Sequence, residues 1–364
     1  MTEASVSIIV PTFNEADNII ELLERLEKSL RETYFRNYEI IVVDDNSPDG
    51  TCRVVREYAR DHKAEDRIRC ILRTNERGLS SAVVEGMRRS RGDIVVVMDA
   101  DLQHPPEDVP RLVMAVLEEG DIAVATRYAR GGGVEGWSRV RLLMSRLGTI
   151  LVKPLSSASW RTTDPLSGFF AFKRNLVDPD RLRPRGFKIL LEILERYPQL
   201  RVVDVPYIFR GRKRGESKLG LNAITGFIVQ ALEISPTARL RVAGLAGFIL
   251  NLALLALALG EGLNRVVAGL LSISSGLILT GILGYALTRP LYRVRNVGPC
   301  RVGSTLARVY VRLIPGALTL YVLYLILSAL RLPPLPAMVV AELLSFPVNV
   351  YLRPDTPLLS CIGG

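Results

Sequence analysis

Two stretches in the C-terminal third contain no charged residue: Val242 to Leu259, 18 residues, and Val266 to Leu287, 22 residues. As helices, each is long enough to cross about 30 Å of hydrocarbon. A third run, Leu313 to Leu330, is uncharged over 18 residues, and a fourth, Leu335 to Leu352, reaches that length only by including Glu342, Pro347 and Asn349. Four such runs crowded into one third of the chain argue against the buried hairpin of a soluble domain. We therefore predict an all-α transmembrane domain of four helices over residues 236–364, with spans at about 242–259, 266–287, 313–330 and 335–352. The second run is rich in small residues (Gly269, Ser272, Ser274, Ser275, Gly276, Gly281, Gly284), the composition expected where helices in lipid approach closely.

Charge gives this domain a direction. The formal net charge is +10, and residues 236–364 hold eleven Arg against only Glu261, Glu342 and Asp355, so nearly all of the excess lies there. Arg239 and Arg241 precede the first run, while Arg289, Arg293, Arg295, Arg301, Arg308 and Arg312 crowd the connection between the second and third. Cytoplasmic loops carry the basic residues, so this connection is expected inside and the tips at Gly260 to Arg265 and Arg331 to Pro334 outside. This predicts a multi-pass integral membrane protein with residues 1–235 on the cytoplasmic face. A basic surface arranged this way does not form a nucleic-acid groove, which needs its cations on one folded face. The N-terminus enters directly on Val6 to Val10, without a stretch of signal-peptide type. Cys52, Cys70, Cys300 and Cys361 show no C-x-x-C spacing, so neither a zinc site nor a disulfide framework is expected, and a reducing compartment fits.

Residues 1–235 alternate short apolar runs (Val6 to Val10, Ile40 to Val43, Ile68 to Leu72, Ile94 to Met98, Ile122 to Ala125) with helical spacing such as Ile19, Leu22, Leu23, Leu26 and Val109, Leu112, Val113, Val116. Continuous apolar runs are the mark of parallel strands buried on both faces, so this is an open α/β sheet. In such sheets ligands sit beyond the carboxyl ends of the strands. The residues there are polar: Pro11-Thr12-Phe13-Asn14-Glu15, Asp44-Asp45-Asn46-Ser47-Pro48-Asp49 and Asp99-Ala100-Asp101-Leu102-Gln103.

Asp99 and Asp101, at spacing i, i+2 after a buried run and followed by Gln103, offer hard oxygen ligands from one short segment. That set suits Mg²⁺ or Mn²⁺ retaining water or phosphate oxygens as its other ligands; a helix cap is the competing reading of the two carboxylates alone. Asp44 and Asp45 add acceptors suited to ribose hydroxyls or a base N–H. A cation, acidic ligands and a nucleoside describe one bound species, a nucleotide diphosphate.

The ordered motifs PTFNE, VVDDNSPDGT, RGLSSAV, MDADLQHPPE, TRY, DPLSGFFA and RGESKL resemble those of the dolichol-phosphate mannose synthases among the inverting nucleotide-sugar glycosyltransferases, and they cover most of residues 5 to 220. The resemblance implies a glycosyltransferase A fold, a Rossmann-like open sheet, and metal-dependent transfer of mannose from GDP-mannose to a dolichyl or other polyprenyl phosphate at a lipid bilayer. It also implies site residues. Pro11, Phe13 and Glu15 line the nucleoside pocket with Val43 and Asp45; Phe13 stands where relatives often have Tyr, which keeps an aromatic face and removes one hydroxyl. Asp99, Ala100, Asp101 and Gln103 form the metal and diphosphate segment, Arg127 follows the next strand, and Arg212 with Lys218 forms a basic loop on the donor side. Arg141 and Ser145 match positions near the lipid phosphate. Asp101, Arg127 and Arg212 are the residues expected to act in catalysis.

Several residues keep two readings. Asp164 in Asp164-Pro165-Leu166-Ser167-Gly168 is a turn cap or an acceptor-side carboxylate. Gly131-Gly132-Gly133 is a mobile lid or a linker. His104 is expected to shape its loop and His62 to be exposed, which leaves no Ser/His/Asp catalysis. A UDP-glucose-dependent polyprenyl-phosphate glucosyltransferase and an inactive membrane scaffold are the rival functions. A processive polysaccharide synthase is disfavoured by the lack of a Q-x-x-R-W pattern.

Overall fold

The computed structural model describes residues 4–33, 35–136, 156, 158–183, 188–211, 232, 235–294 and 302–351. The chain divides into two compact units, Met1–Lys153 with Ala158–Gln230, and Pro154–Ser157 with Ala231–Gly364.

The first unit is built on a seven-stranded sheet in the order β3-β2-β1-β4-β7-β5-β8. Its members are β1 (Val6–Thr12), β2 (Tyr38–Asp44), β3 (Ile68–Leu72), β4 (Ile94–Val97), β5 (Ile122–Thr126), β7 (Phe170–Lys173) and β8 (Val202–Pro206). The five runs read as strands are strands, and helices α1 (Ala16–Arg31), α2 (Thr51–Asp61), α3 (Leu79–Arg89), α4 (Val109–Glu118) and α5 (Ile189–Arg196) lie between and after them. Ile19, Leu22, Leu23 and Leu26 of α1 and Val109, Leu112, Val113 and Val116 of α4 are fully buried. Ile8 and Val10 join that same core. On the opposite face of β1, α3 packs so closely that a Cβ at Gly86 would lie 2.5 Å from Ile9 Cγ2.

The sheet is mixed. β1 pairs in parallel with β2 and β4, and β5 with β8, but β7 runs antiparallel between β4 and β5, with Val97 opposite Phe170 and Ile122 opposite Phe172. Phe170, Ala171 and Phe172, in the interior of the sheet, are fully buried. A second, two-stranded sheet joins β6 (Gly133–Val134) to β9 (Ile208–Phe209). The end of the triple-glycine run is therefore paired strand, and Gly132 lies so close to Thr126 that a Cβ there would meet its carbonyl oxygen at 2.6 Å. That segment is neither a free linker nor a loose lid.

The disulfide expectation is corrected. Cys52, in the first turn of α2, is bonded to Cys70 in β3, with Cα atoms 5.6 Å apart. The crossover from α2 back to the sheet brings them together, a tertiary effect with no short sequence spacing to announce it. The cysteines thus lend no support to a reducing compartment.

The second unit contains α6 (Pro236–Gly260), α7 (Arg265–Val294), α8 (Val302–Ala329) and α9 (Pro334–Tyr351). Ser235 caps α6 by accepting from the Ala238 N–H. α6 and α7 meet through glycines: a Cβ at Gly247 would come within 2.5 Å of Gly276 O, and one at Gly269 within 2.5 Å of the Tyr324 ring of α8. Small residues permit this approach, as in packed membrane helices. Two helices among the described residues are long and apolar enough to cross a membrane, Ala238–Gly260 and Arg265–Leu287, with mean hydropathy 2.4 and 2.1. Among the described residues, α8 and α9 carry the further apolar stretches Pro315–Ala329 and Pro334–Ser345. Among the described residues, two of the four expected spans meet the length requirement.

Candidate functional site at the carboxyl edge of the sheet

Strand order reverses between β1 and β4, and a crevice at such a switch point is where open α/β sheets bind ligands. The segments after both strands carry the residues singled out in the sequence.

Beyond β1, Asn14 adopts φ 60°, and its N–H donates to Ser47 Oγ (2.9 Å), while the Glu15 N–H donates to Thr51 Oγ1 (3.1 Å). These bonds tie the β1 loop to the β2 loop. Asp49 accepts from the Ala16 N–H at the start of α1 and from Thr51. Burial works against its charge, but the hydrogen bonds from Thr51 and Ala16 outweigh it and hold the carboxyl below its ordinary value.

The adjacent carboxylates of β2 divide their work. Asp44 is buried and accepts from Thr12 Oγ1, Ser47 Oγ and the Ser47 N–H, so it builds the turn. Asp45 Oδ1 accepts from Arg73 Nε (2.7 Å) and Oδ2 from the Gly78 N–H (2.7 Å). Phe13 is 37% exposed with the Arg77 guanidinium 5.3 Å from its ring centre. The Val43 side chain is wholly buried in the sheet, which leaves its backbone as what it can offer a nucleoside. Pro11 lines a small pocket shared with Leu79, Asp99 and Gly168.

After β4, the chain turns sharply through Leu102, a buried leucine at φ 61°. A non-glycine residue in that region is strained, and such strain concentrates at functional sites. The turn lets Asp101 Oδ1 accept from the Gln103 N–H (3.1 Å). Gln103 in turn donates from Nε2 to Arg210 O (3.2 Å), and its main-chain carbonyl accepts from the Arg210 N–H (3.0 Å). Its amide oxygen is the atom it can present to a cation. Ala100 is buried between the two carboxylates.

His104 was expected to shape this loop, and it does so through Asp99. Its Nε2 lies 3.2 Å from Asp99 Oδ2 and its Nδ1 3.0 Å from the Tyr207 hydroxyl. An ionised carboxylate only accepts, so Nε2 carries the proton and Tyr207 donates to Nδ1. Burial pushes the Tyr207 phenol well above its ordinary value, which keeps that donor protonated. Gly168 approaches Asp99 from the other side, where a Cβ would lie 2.8 Å from Oδ2.

Arg127 forms a two-pronged pair with Asp164, Nε to Oδ2 at 2.7 Å and a terminal nitrogen to Oδ1 at 3.0 Å. Asp164 is fully buried. Burial alone would lower the Arg127 pKa, but the charge and hydrogen bonds of Asp164 more than compensate, and it is raised. Asp164 is thus an ion-pair partner, a role outside both readings of the sequence. Lys188, which the sequence reading passed over, belongs to the same group. It donates from Nζ to Leu166 O (2.9 Å). Burial depresses its pKa; the Asp99 charge opposes that, Arg127 reinforces it and Asp164 opposes it. Its only sequence signal is a cation immediately ahead of the apolar helix α5. Arg141, Ser145, Arg212 and Lys218 lie outside the described residues.

The donor set after β4 fits a hard divalent cation. Two carboxylates and one amide oxygen come from a single turn, and no group of three His, Cys, Asp or Glu side chains gathers among the described residues. Such a site leaves coordination positions for water and phosphate oxygens, as Mg²⁺ and Mn²⁺ require.

Residues 7–179 match the model of glycosyl transferase family 2. The chain is 37% identical over 356 residues to the dolichol-phosphate mannosyltransferase of Pyrococcus furiosus, covering 96% of this chain and 97% of that protein. The chain belongs to the dolichol-phosphate mannosyltransferases of glycosyl transferase family 2. The enzyme of that name from Saccharomyces cerevisiae is 39% identical over 237 residues, 63% of this chain and 86% of the yeast protein. Among solved structures, a glucosyl-3-phosphoglycerate synthase from Mycobacterium tuberculosis with Mn²⁺ and UDP-glucose is 20% identical, with TM-score 0.47, over 63% of this chain and 78% of that one. The mixed sheet of the first unit is the glycosyltransferase A-like fold of the family, and the chain is a glycosyltransferase.

Proposed function

We propose that this chain transfers mannose from GDP-mannose to dolichyl or another polyprenyl phosphate, with inversion at the sugar carbon and with Mg²⁺ or Mn²⁺. The observation that carries the reading is the gathering, at the carboxyl edge of the sheet, of Phe13 and Asp45 with the Asp99, Asp101, Gln103 segment. The name shared with relatives matched over nearly the whole chain supports mannose and a lipid phosphate as the transferred group and acceptor.

In this reading an oxygen of the lipid phosphate attacks the anomeric carbon, and the bond from that carbon to the diphosphate breaks. A phosphate monoester with a second pKa of about 6 is already dianionic near neutral pH, so no strong general base is needed. Asp99, Asp101 and Gln103 Oε1 would hold the cation, which supplies charge neutralisation to the diphosphate. Asp164 fixes the direction of Arg127, and Tyr207 and His104 fix that of Asp99; both sets of bonds orient charge before substrate arrives, and preorganisation of this kind is a major source of rate enhancement. Arg212 and Lys218 complete the cationic side on the donor, and Arg141 with Ser145 meets the acceptor phosphate.

The second unit, residues 236–364, serves as the membrane domain, with the catalytic unit on the cytoplasmic face. Two helices of spanning length and the Arg cluster from Arg289 to Arg312, which runs from the end of α7 into the start of α8, support this. Radiolabelled GDP-mannose and UDP-glucose, offered separately with polyprenyl phosphate and Mn²⁺, test the donor. Mannosyl lipid should form and be abolished by EDTA. Glucosyl lipid from UDP-glucose in place of mannosyl lipid would overturn the reading.

A further inference from the structure

The RGLSSAV motif has so far been given no role, and it places a cation against Phe13. Strand order puts β2 between β1 and β3. Asp45 lies at the carboxyl end of β2, Phe13 follows β1, and Arg77 lies on the connection from β3 to α3. Arg77 therefore reaches over the β2 edge to stand 5.3 Å from the Phe13 ring centre. Its neighbour Gly78, at φ 146°, donates its N–H to Asp45 Oδ2 (2.7 Å). That backbone conformation belongs to glycine, which lacks the Cβ that forbids it. Arg73 closes the same corner, donating to Asp45 Oδ1 (2.7 Å), to Ser81 Oγ (3.0 Å) and to Gly78 O (3.2 Å). This corner thus brings together an aromatic ring, a guanidinium and a carboxylate, and the loops carrying the last two are stitched together.

We propose that Arg77 is a specificity-determining residue for the nucleobase, swinging off the Phe13 face to admit the base and then donating its planar fork to the O6 and N7 acceptors of guanine. The inference rests on the guanine-nucleotide reading above and deepens it. Phe13 alone stacks any base and cannot choose among them. Guanine presents two acceptors, O6 and N7, on one edge, to which arginine donates in bidentate fashion, and N1–H and N2–H donors on another, which suit a carboxylate. Asp45 retains acceptor capacity, since two carboxylate oxygens offer about four lone-pair sites. Uracil has no N7, so a fork aimed at an O6/N7 edge gains nothing from it. Arg77 is exposed, where a change of rotamer meets no core packing.

Equilibrium binding of GDP, IDP and UDP to the full-length chain and to Arg77→Ala and Arg77→Lys tests this. IDP keeps O6 and N7 and lacks only the exocyclic amine. Arg77→Ala should weaken GDP and IDP alike by about tenfold or more, the order of one bidentate contact, while UDP changes less than twofold; Arg77→Lys should recover only part of the loss, having charge without the fork. An equal loss for all three nucleotides would place Arg77 on the diphosphate and overturn the inference, as would no loss at all. Tighter binding of UDP than GDP by the unmutated chain would refute the donor assignment, and the inference with it; that result is read before any variant is made.

Discussion

Arg127 and Asp164 stand 37 positions apart in sequence and within hydrogen-bonding distance in the fold. The cation was legible from its place after β5; its partner was not, because an Asp-Pro turn announces a bend and says nothing of a contact across the sheet. Lys188 was missed for the same reason. The pair is buried, so removing one charge leaves the other uncompensated. Asp164→Asn should therefore cost on the order of 3 kcal/mol of stability and lower transfer as Arg127 loses its fixed direction. Replacing both with apolar residues, Arg127→Met with Asp164→Leu, should restore much of the stability but not the transfer. Melting temperatures in detergent, measured beside turnover, check both; a single variant as stable and active as the parent would mean that the pair neither anchors nor orients.

At the scale of elements, the buried parallel strands were legible because two covering layers make each one a continuous apolar run. β7 satisfied that same pattern in Phe169 to Phe172, yet its four residues sit inside a longer motif, and nothing local marks a strand as antiparallel. The register that seats Phe170 beside Val97 also carries Gly168 against Asp99, so a strand hidden in the sequence helps to place a carboxylate that was plain in it. The helices of the second unit show the converse. Their apolar runs were obvious, and those from Val242 to Leu259 and from Val266 to Leu287 fall within helices of spanning length. The direction of the α6 and α7 pair is open to experiment. In a chain lacking Cys300 and Cys361, cysteines introduced as Glu261→Cys and Arg295→Cys should label from the outer and the cytoplasmic side respectively; the reverse pattern would reject the orientation drawn from the Arg-rich connection.

For the whole molecule, the division between an α/β unit and a helical unit followed from composition, while the disulfide and the second sheet depended on chain crossovers that no spacing encodes. The account makes one claim on which the rest depends, that the carboxylates after β4 are where transfer occurs. Asp101 is buried, and its Oδ1 accepts from the Gln103 N–H; an asparagine keeps that oxygen and the shape of the turn while losing the charge. The decisive measurement is mannosyl transfer by Asp101→Asn across a range of Mn²⁺ concentrations, with the melting temperature as a control for folding. The account predicts an unchanged melt and a turnover reduced by about a hundredfold, the order expected on losing a preorganised charge-stabilising group. Near-normal turnover at limiting Mn²⁺ would contradict it.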